Sequence, residues 1–219
     1  MIDGIILIDK PAHMTSFGVV ARIRRVLSKD AGKKIKVGHT GTLDPFATGL
    51  MILVIGQECK RAGVYTKLDK VYEATFVLGQ ESTTGDPEGE LTTISDKQPS
   101  IDEIEATLAQ FRGTIMQRPP IFSAIKINGQ RAYKLARNGE EVEIPERSIT
   151  VHSLEIIDYS YPELKVRTHV SSGTYIRSLA VDIGKSLTTG AYCRELRRTD
   201  IAEWSIDDAK QLSDYGIES

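Results

Sequence analysis

Ile125-Lys-Ile-Asn-Gly-Gln-Arg131 is the stretch that decides the fold class. Asn-Gly favours the two-residue turn whose left-handed backbone matches the twist of paired strands, and a short extended arm flanks it on each side. The stretch reads as a β-hairpin, so the sheet has antiparallel pairing. Before and after it, strands and helices are mixed without the regular strand–helix–strand rhythm of a parallel sheet. Ile5 to Ile8 is an aliphatic run closed by Asp9-Lys10-Pro11, and Leu50 to Ile55 is a second buried run. From Val71 to Leu78 the residues Tyr72, Ala74, Phe76 and Leu78 share one strand face. Residues 149–157 and 164–170 read as strands paired around Tyr161-Pro162, and 191–201 as a final strand.

Helical stripes lie between them. Thr15 and Ser16 offer N-caps for a helix over Phe17 to Ser28, with Val19, Ile23 and Val26 on one face. Ser100 with Glu103 is a capping box ahead of Ile104, Leu108 and Phe111. A short helix is expected to end at Gly139. Another covers about Thr174 to Leu187, with Ile176, Leu179, Ala180, Ile183 and Leu187 inward, and a last one covers Asp207 to Leu212. Residues 80–99 are rich in turn formers and read as loop. The prediction is an α+β fold: a mixed, mostly antiparallel central sheet flanked by helices. No repeat or linker divides it, so residues 1–219 are expected to form one domain.

The 219 residues are 40% hydrophobic and 26% charged, as in a soluble globular protein that buries a sizeable core. The longest strongly apolar run, Leu50 to Ile55, is too short to span a bilayer, and the early Asp3 argues against a signal peptide. Cys59 and Cys193 form no CxxC pair or zinc cluster, so they read as reduced and the protein as cytoplasmic, with no metal expected.

A formal net charge of −2 does not by itself mark a nucleic-acid binder. The distribution is more telling. Residues 22–36 hold seven basic residues against Asp30; 118–137 hold Arg118, Lys126, Arg131, Lys134 and Arg137 with no acid; 192–198 hold Arg194, Arg197 and Arg198 against Glu195. Residues 81–105 carry eight acids and one lysine. Three basic runs, with Tyr133, Tyr175 and Tyr192 in or near such segments, suit a phosphate-tracking surface.

Two segments carry chemistry. Gly38-His-Thr-Gly-Thr-Leu-Asp-Pro-Phe-Ala-Thr-Gly49 gathers hydrogen-bonding groups around Asp44 but lacks the Gly-Lys-Ser/Thr of a phosphate loop. Ser171-Ser-Gly-Thr-Tyr-Ile-Arg177 puts Arg177 in the first turn of a helix, where the dipole disfavours a cation, so it should pair with an anion.

Gly38 to Leu50 resembles the catalytic motif of the TruB family of tRNA pseudouridine synthases. Lys10-Pro11 with Thr15-Ser16, Lys70-Val-Tyr72-Glu-Ala-Thr75 with Leu78-Gly79, Ser172-Gly-Thr-Tyr-Ile-Arg-Ser-Leu179, and Gly190-Ala-Tyr with Leu196-Arg-Arg-Thr199 are similar to that family's other motifs, in the same order. The resemblance implies the pseudouridine synthase fold and isomerisation of the T-arm uridine of tRNA conventionally numbered 55. Asp44 would be the nucleophile. Tyr72 would stack on the uracil and assist proton removal, and Arg177 would pair with Asp44. His39 would hold the RNA with its base turned out, and Tyr175 and Leu196 would line the uridine pocket. An inserted segment at about 118–145 would close over the RNA. No cofactor is implied, and a monomer is expected. Val170 stands where many members have cysteine. Many bacterial relatives continue into a small RNA-binding domain of the PUA type; here that module is expected to be missing or truncated after Ser219. A catalytically idle RNA-binding or RNA-folding protein would use the same cleft, although it would have no need of Asp44.

Overall fold

The structure, a computed structural model, describes residues 3–121, 123, 126, 127, 130, 131 and 144–218. The chain divides into two compact units, Met1–Tyr72 with Leu196–Ser219, and Glu73–Glu195. Strands β4 (Lys70–Leu78) and β12 (Ala191–Ile201) each give one end to each unit.

In the first unit β1 (Gly4–Lys10) runs antiparallel to β3 (Thr48–Ile55), with Ile8 opposite Met51. The short β2 (Val37–His39) is also antiparallel to β3, and the end of β12 pairs with its start in parallel, Arg197 opposite Thr48. With this parallel contact beside the antiparallel ones, the sheet is mixed. Every residue of β3 from Gly49 to Ile55 is buried, as expected of a continuous apolar run covered on both faces. Leu50, Ile52 and Val54 pack with Tyr65, from α2 (Ala62–Thr66), and Ile201. Helix α1 (Ser16–Asp30) buries Val19, Val20 and Ile23. Each such aliphatic side chain removed from water contributes roughly 1.5–3 kcal/mol. The two-residue β13 (Trp204–Ser205) pairs antiparallel with β12, and the Trp204 ring packs tilted by 55° against Tyr65, with centroids 5.6 Å apart.

In the second unit the strand order is β12-β4-β11-β10-β7. Strand β10 (Arg147–Ser160) pairs antiparallel with both β11 (Glu163–Val170) and β7 (Gly113–Gln117). Helix α3 (Ile101–Gln110) carries the expected Ser100–Glu103 capping box. Helix α4 (Ile176–Ser186) buries Ile176, Leu179, Ala180 and Ile183. Strands β5 (Gln80–Ser82) and β6 (Leu91–Thr93) form a hairpin inside the stretch read as loop. Strands β8 (Lys126–Ile127) and β9 (Gln130–Arg131) pair antiparallel, as the Asn-Gly turn demands. The turn residues themselves, the helix expected to end at Gly139 and most of the segment 118–145 lie outside the described residues.

The last short helix is replaced by two 3-10 turns, Ile206–Asp208 and Leu212–Tyr215. The reason lies in β1. Lys210 donates its N–H to the Leu7 carbonyl and accepts from the Asp9 N–H, each at 3.0 Å, which holds the chain extended at that point. Among the described residues, no helix is long and apolar enough to cross a membrane.

Candidate active site

Asp44 lies in the first unit, half-buried in the loop joining β2 to β3. Both neighbours are tied down. The buried Ser16 hydroxyl accepts from Leu43 N at 2.8 Å and donates to Leu43 O at 2.9 Å. The Pro45 carbonyl accepts from His13 N at 2.7 Å and from Lys10 Nζ at 3.2 Å. The sequence offers Thr15 and Ser16 alike as caps for α1; Thr15 caps Gly18 N, which frees Ser16 for the loop.

Two buried cations hold this main chain. Lys10 is wholly buried and donates also to the Pro11 and Met14 carbonyls, at 2.8 and 2.6 Å. Arg198 is 1% exposed; its Nε donates to Leu50 O at 2.7 Å and its Nη2 to Gly41 O at 3.2 Å, so it spans the two ends of the loop. Charge buried in this way is tolerable because carbonyl oxygens replace water. Gly49 is required at its position: its φ is +108°, and a Cβ there would lie 2.3 Å from the Arg198 carbonyl oxygen. The backbone path of the loop is thus fixed by Ser16, Lys10, Arg198 and Gly49.

His39 ends β2, half-buried. Tyr72 on β4 and Leu196 on β12 are 7% and 8% exposed. Lys70 shares the strand face of Tyr72, two residues away, and donates to the carbonyls of Thr66 and Leu68. Burial, and then the nearby Arg198 charge, push the Lys70 ammonium pKa down to about 8. The sequence shows Lys10, Lys70 and Arg198 as motif positions, but nothing in it shows that they are interior.

The second unit holds Arg177 and Tyr175. Arg177 sits in the first turn of α4 and has Asp86 as an anionic partner: Nη1 to Oδ2 is 2.7 Å, with both side chains 4% exposed. The same Nη1 donates to the Thr84 carbonyl at 3.1 Å. Asp86 Oδ1 accepts from Thr84 Oγ1 at 2.6 Å and Glu88 N at 3.0 Å. Asp86 was legible only as a turn residue of Gly85-Asp86-Pro87. Tyr175 caps α4; the buried amide of Gln117 accepts from its N–H at 2.8 Å and donates to its carbonyl at 3.0 Å. The Arg147 guanidinium lies 4.9 Å from the Tyr175 ring centroid.

One expectation is corrected. The basic run 192–198 is not a run of three free surface cations. Arg194 pairs with Glu163, Arg197 pairs with Asp9 at 2.8 Å, and Arg198 is interior. Run-counting missed this because the acids that neutralise these arginines are distant in sequence.

Known proteins resemble this chain along most of its length. A family model described as TruB family pseudouridylate synthase (N terminal domain) matches residues 24–176. The tRNA pseudouridine synthase B of Aquifex aeolicus (strain VF5) is 43% identical over 215 residues, 97% of this chain and 73% of that protein. Its namesake from Thermobifida fusca (strain YX) is 42% identical over 230 residues, 100% of this chain and 76% of that protein. Among solved structures, a chain of a Cbf5-Nop10-Gar1 complex superposes with a TM-score of 0.74 at 30% identity, over 96% of this chain and 53% of that one. The chain thus spans about three quarters of these curated relatives and about half of the solved chain. With motifs, fold and relatives in agreement along nearly its whole length, the chain belongs to the TruB family of pseudouridylate synthases.

Proposed function

We propose that the chain isomerises uridine to pseudouridine in the T-arm of tRNA, at the uridine conventionally numbered 55, with Asp44 as nucleophile. The observation that carries the reading is Asp44 itself, held by bonds to both neighbouring residues in the loop that bears the family's catalytic motif. The relatives' name, tRNA pseudouridine synthase B, supports tRNA as the substrate.

The reaction breaks the N1–C1′ bond, turns the uracil, joins C5 to C1′, releases the C5 proton and leaves N1 carrying a proton. Substrate and product have the same composition, so no redox cofactor is called for. A carboxylate can attack the substrate and hold it covalently while the base turns. The base must first leave its stack, which calls for an aromatic platform in a closed pocket. Tyr72 supplies that platform and assists removal of the C5 proton. Arg177 is assigned to hold Asp44 ionised, since a guanidinium paired with a carboxylate favours its charged form. His39 keeps the RNA strand with its base turned out, Tyr175 and Leu196 line the pocket, and the segment at about 118–145 closes over the RNA. The protein acts in the cytoplasm as a monomer.

The test is tritium release from a T-arm stem-loop labelled at uridine C5, with wild type and Asp44→Asn side by side. Release by wild type alone, with the variant binding RNA within a few-fold of wild type, supports the reading. Near-normal release by Asp44→Asn removes the nucleophile assignment. No release by either, with tight binding of the same RNA, favours an idle RNA-binding protein.

A further inference from the structure

Six exposed cations lie within residues 22–36: Arg22, Arg25, Lys29, Lys33, Lys34 and Lys36. Arg22, Arg25 and Lys29 recur at i, i+3 and i+7, so they form one stripe along α1, turned away from the buried Val19, Val20 and Ile23. The stripe is about 10 Å long at the rise of an α-helix. The three lysines continue it into the loop before β2. Among the described residues, none of the six is in an ion pair. Acids are not scarce: elsewhere in this unit Arg61 pairs with Glu58 at 3.0 Å and Arg197 with Asp9 at 2.8 Å. The helix dipole accounts for Lys29 in the last turn but not for Arg22 and Arg25.

Beside the stripe lies an exposed aromatic. Phe17 is 63% exposed, and the Arg24 guanidinium sits 5.8 Å from its ring centroid. Such a pair suits stacking on an unpaired base, which favours RNA over an acidic protein as the partner. The element is also anchored to the site. Ser16, the first residue of α1, makes both bonds to Leu43, next to Asp44.

We propose that the outer face of α1 and the loop after it track consecutive phosphates of the substrate RNA. This rests on the reading of the chain as an RNA-modifying enzyme and assigns a task to a face outside the uridine pocket. Each cation that neutralises a phosphate releases a counterion, so binding weakens with salt in proportion to the contacts made.

The experiment compares wild type with R22Q/R25Q/K29Q, using a T-arm stem-loop and measuring affinity by fluorescence anisotropy between 50 and 300 mM salt. Loss of three contacts is expected to flatten the slope of log affinity against log salt by about two and to weaken binding at least tenfold at 0.1 M, on the order of 0.7 in slope per phosphate. Arg25→Gln alone should produce about a third of that slope change, which keeps the test open if the triple variant folds poorly. Pseudouridine formation by wild type reports on the function separately, so either reading can fail alone. An unchanged slope and affinity in a triple variant that melts like wild type overturns the proposal, as an acidic protein partner for this face would produce.

Discussion

Arg177 donates to Asp86 at 2.7 Å with both side chains 4% exposed, an ion pair sealed from water and joining α4 to the turn around Gly85. Breaking a buried pair from one side is far more destabilising than losing a surface one. Asp86→Asn is therefore expected to lower stability by about 3 kcal/mol in urea unfolding. A loss below about 1 kcal/mol would show that the pair contributes no more than an exposed one. Arg177→Ala should also slow single-turnover pseudouridine formation on the order of a hundredfold, if the guanidinium holds Asp44 ionised. Unchanged single-turnover kinetics would remove that role.

Arg198 bridges Gly41 and Leu50 at the ends of the Asp44 loop. Arg198→Met leaves two buried carbonyls without this donor, at about 1–3 kcal/mol each. The loop should loosen, so the effect is expected on kcat more than on RNA affinity, with Arg198→Lys recovering part of it. A variant with lowered affinity and full kcat would show that Arg198 does not act through the loop.

Gly49 and Gly63 form a matched pair. An alanine at 49 meets the Arg198 carbonyl at 2.3 Å with φ at +108°, whereas at Gly63 nothing lies within 4 Å and φ is not positive. Gly49→Ala should destabilise by more than about 2 kcal/mol, from strain and displaced backbone together. Gly63→Ala, inside α2, should be neutral or stabilising by about 0.5 kcal/mol. Thermal melts of the two variants decide it, and equal melting temperatures would contradict the geometry.

Lys70 should leave a signature in the pH dependence of stability. Its folded pKa is lowered to about 8 from 10.5 by burial and Arg198. Between those values the unfolded chain carries the proton and the folded chain does not, so stability rises with pH across the window. Below pH 8 the penalty is fully present, on the order of 2 kcal/mol after allowing for partial solvent screening. Wild type should gain on Lys70→Met in parallel urea titrations from pH 8 to 10. Parallel curves would show that Lys70 ionises as it does in water.

The parts legible from sequence were those in which a local pattern and the tertiary structure ask for the same thing. The Ser100–Glu103 box caps α3 as read, and the stripe of Ile176, Leu179, Ala180 and Ile183 is buried on α4. Strand β6 escaped because Leu91, Thr92 and Thr93 are all exposed and show no alternation. Strand β7 escaped because only Gln117 of its five residues is buried, and the order it follows is set by pairing with β10. At the candidate site, Asp44, Tyr72 and Arg177 could be named from their motifs. Asp86 could not, because a buried partner 91 residues away leaves no trace in spacing. The interior positions of Lys10, Lys70 and Arg198 were hidden for a related reason: charged residues default to the surface, and only carbonyls brought in by the fold make an exception.

Arg198 differs from Arg177 in what answers it. Asp86 is a side chain, so a change at Arg177 could in principle be compensated by a change at Asp86. The partners of Arg198 are main-chain oxygens, which every residue type supplies identically. The clasp itself therefore does not depend on which side chains positions 41 and 50 carry, so long as they fit and keep the backbone path, whereas no second-site substitution can restore a lost guanidinium. Selections for suppressors should find them for Asp86 and none for Arg198.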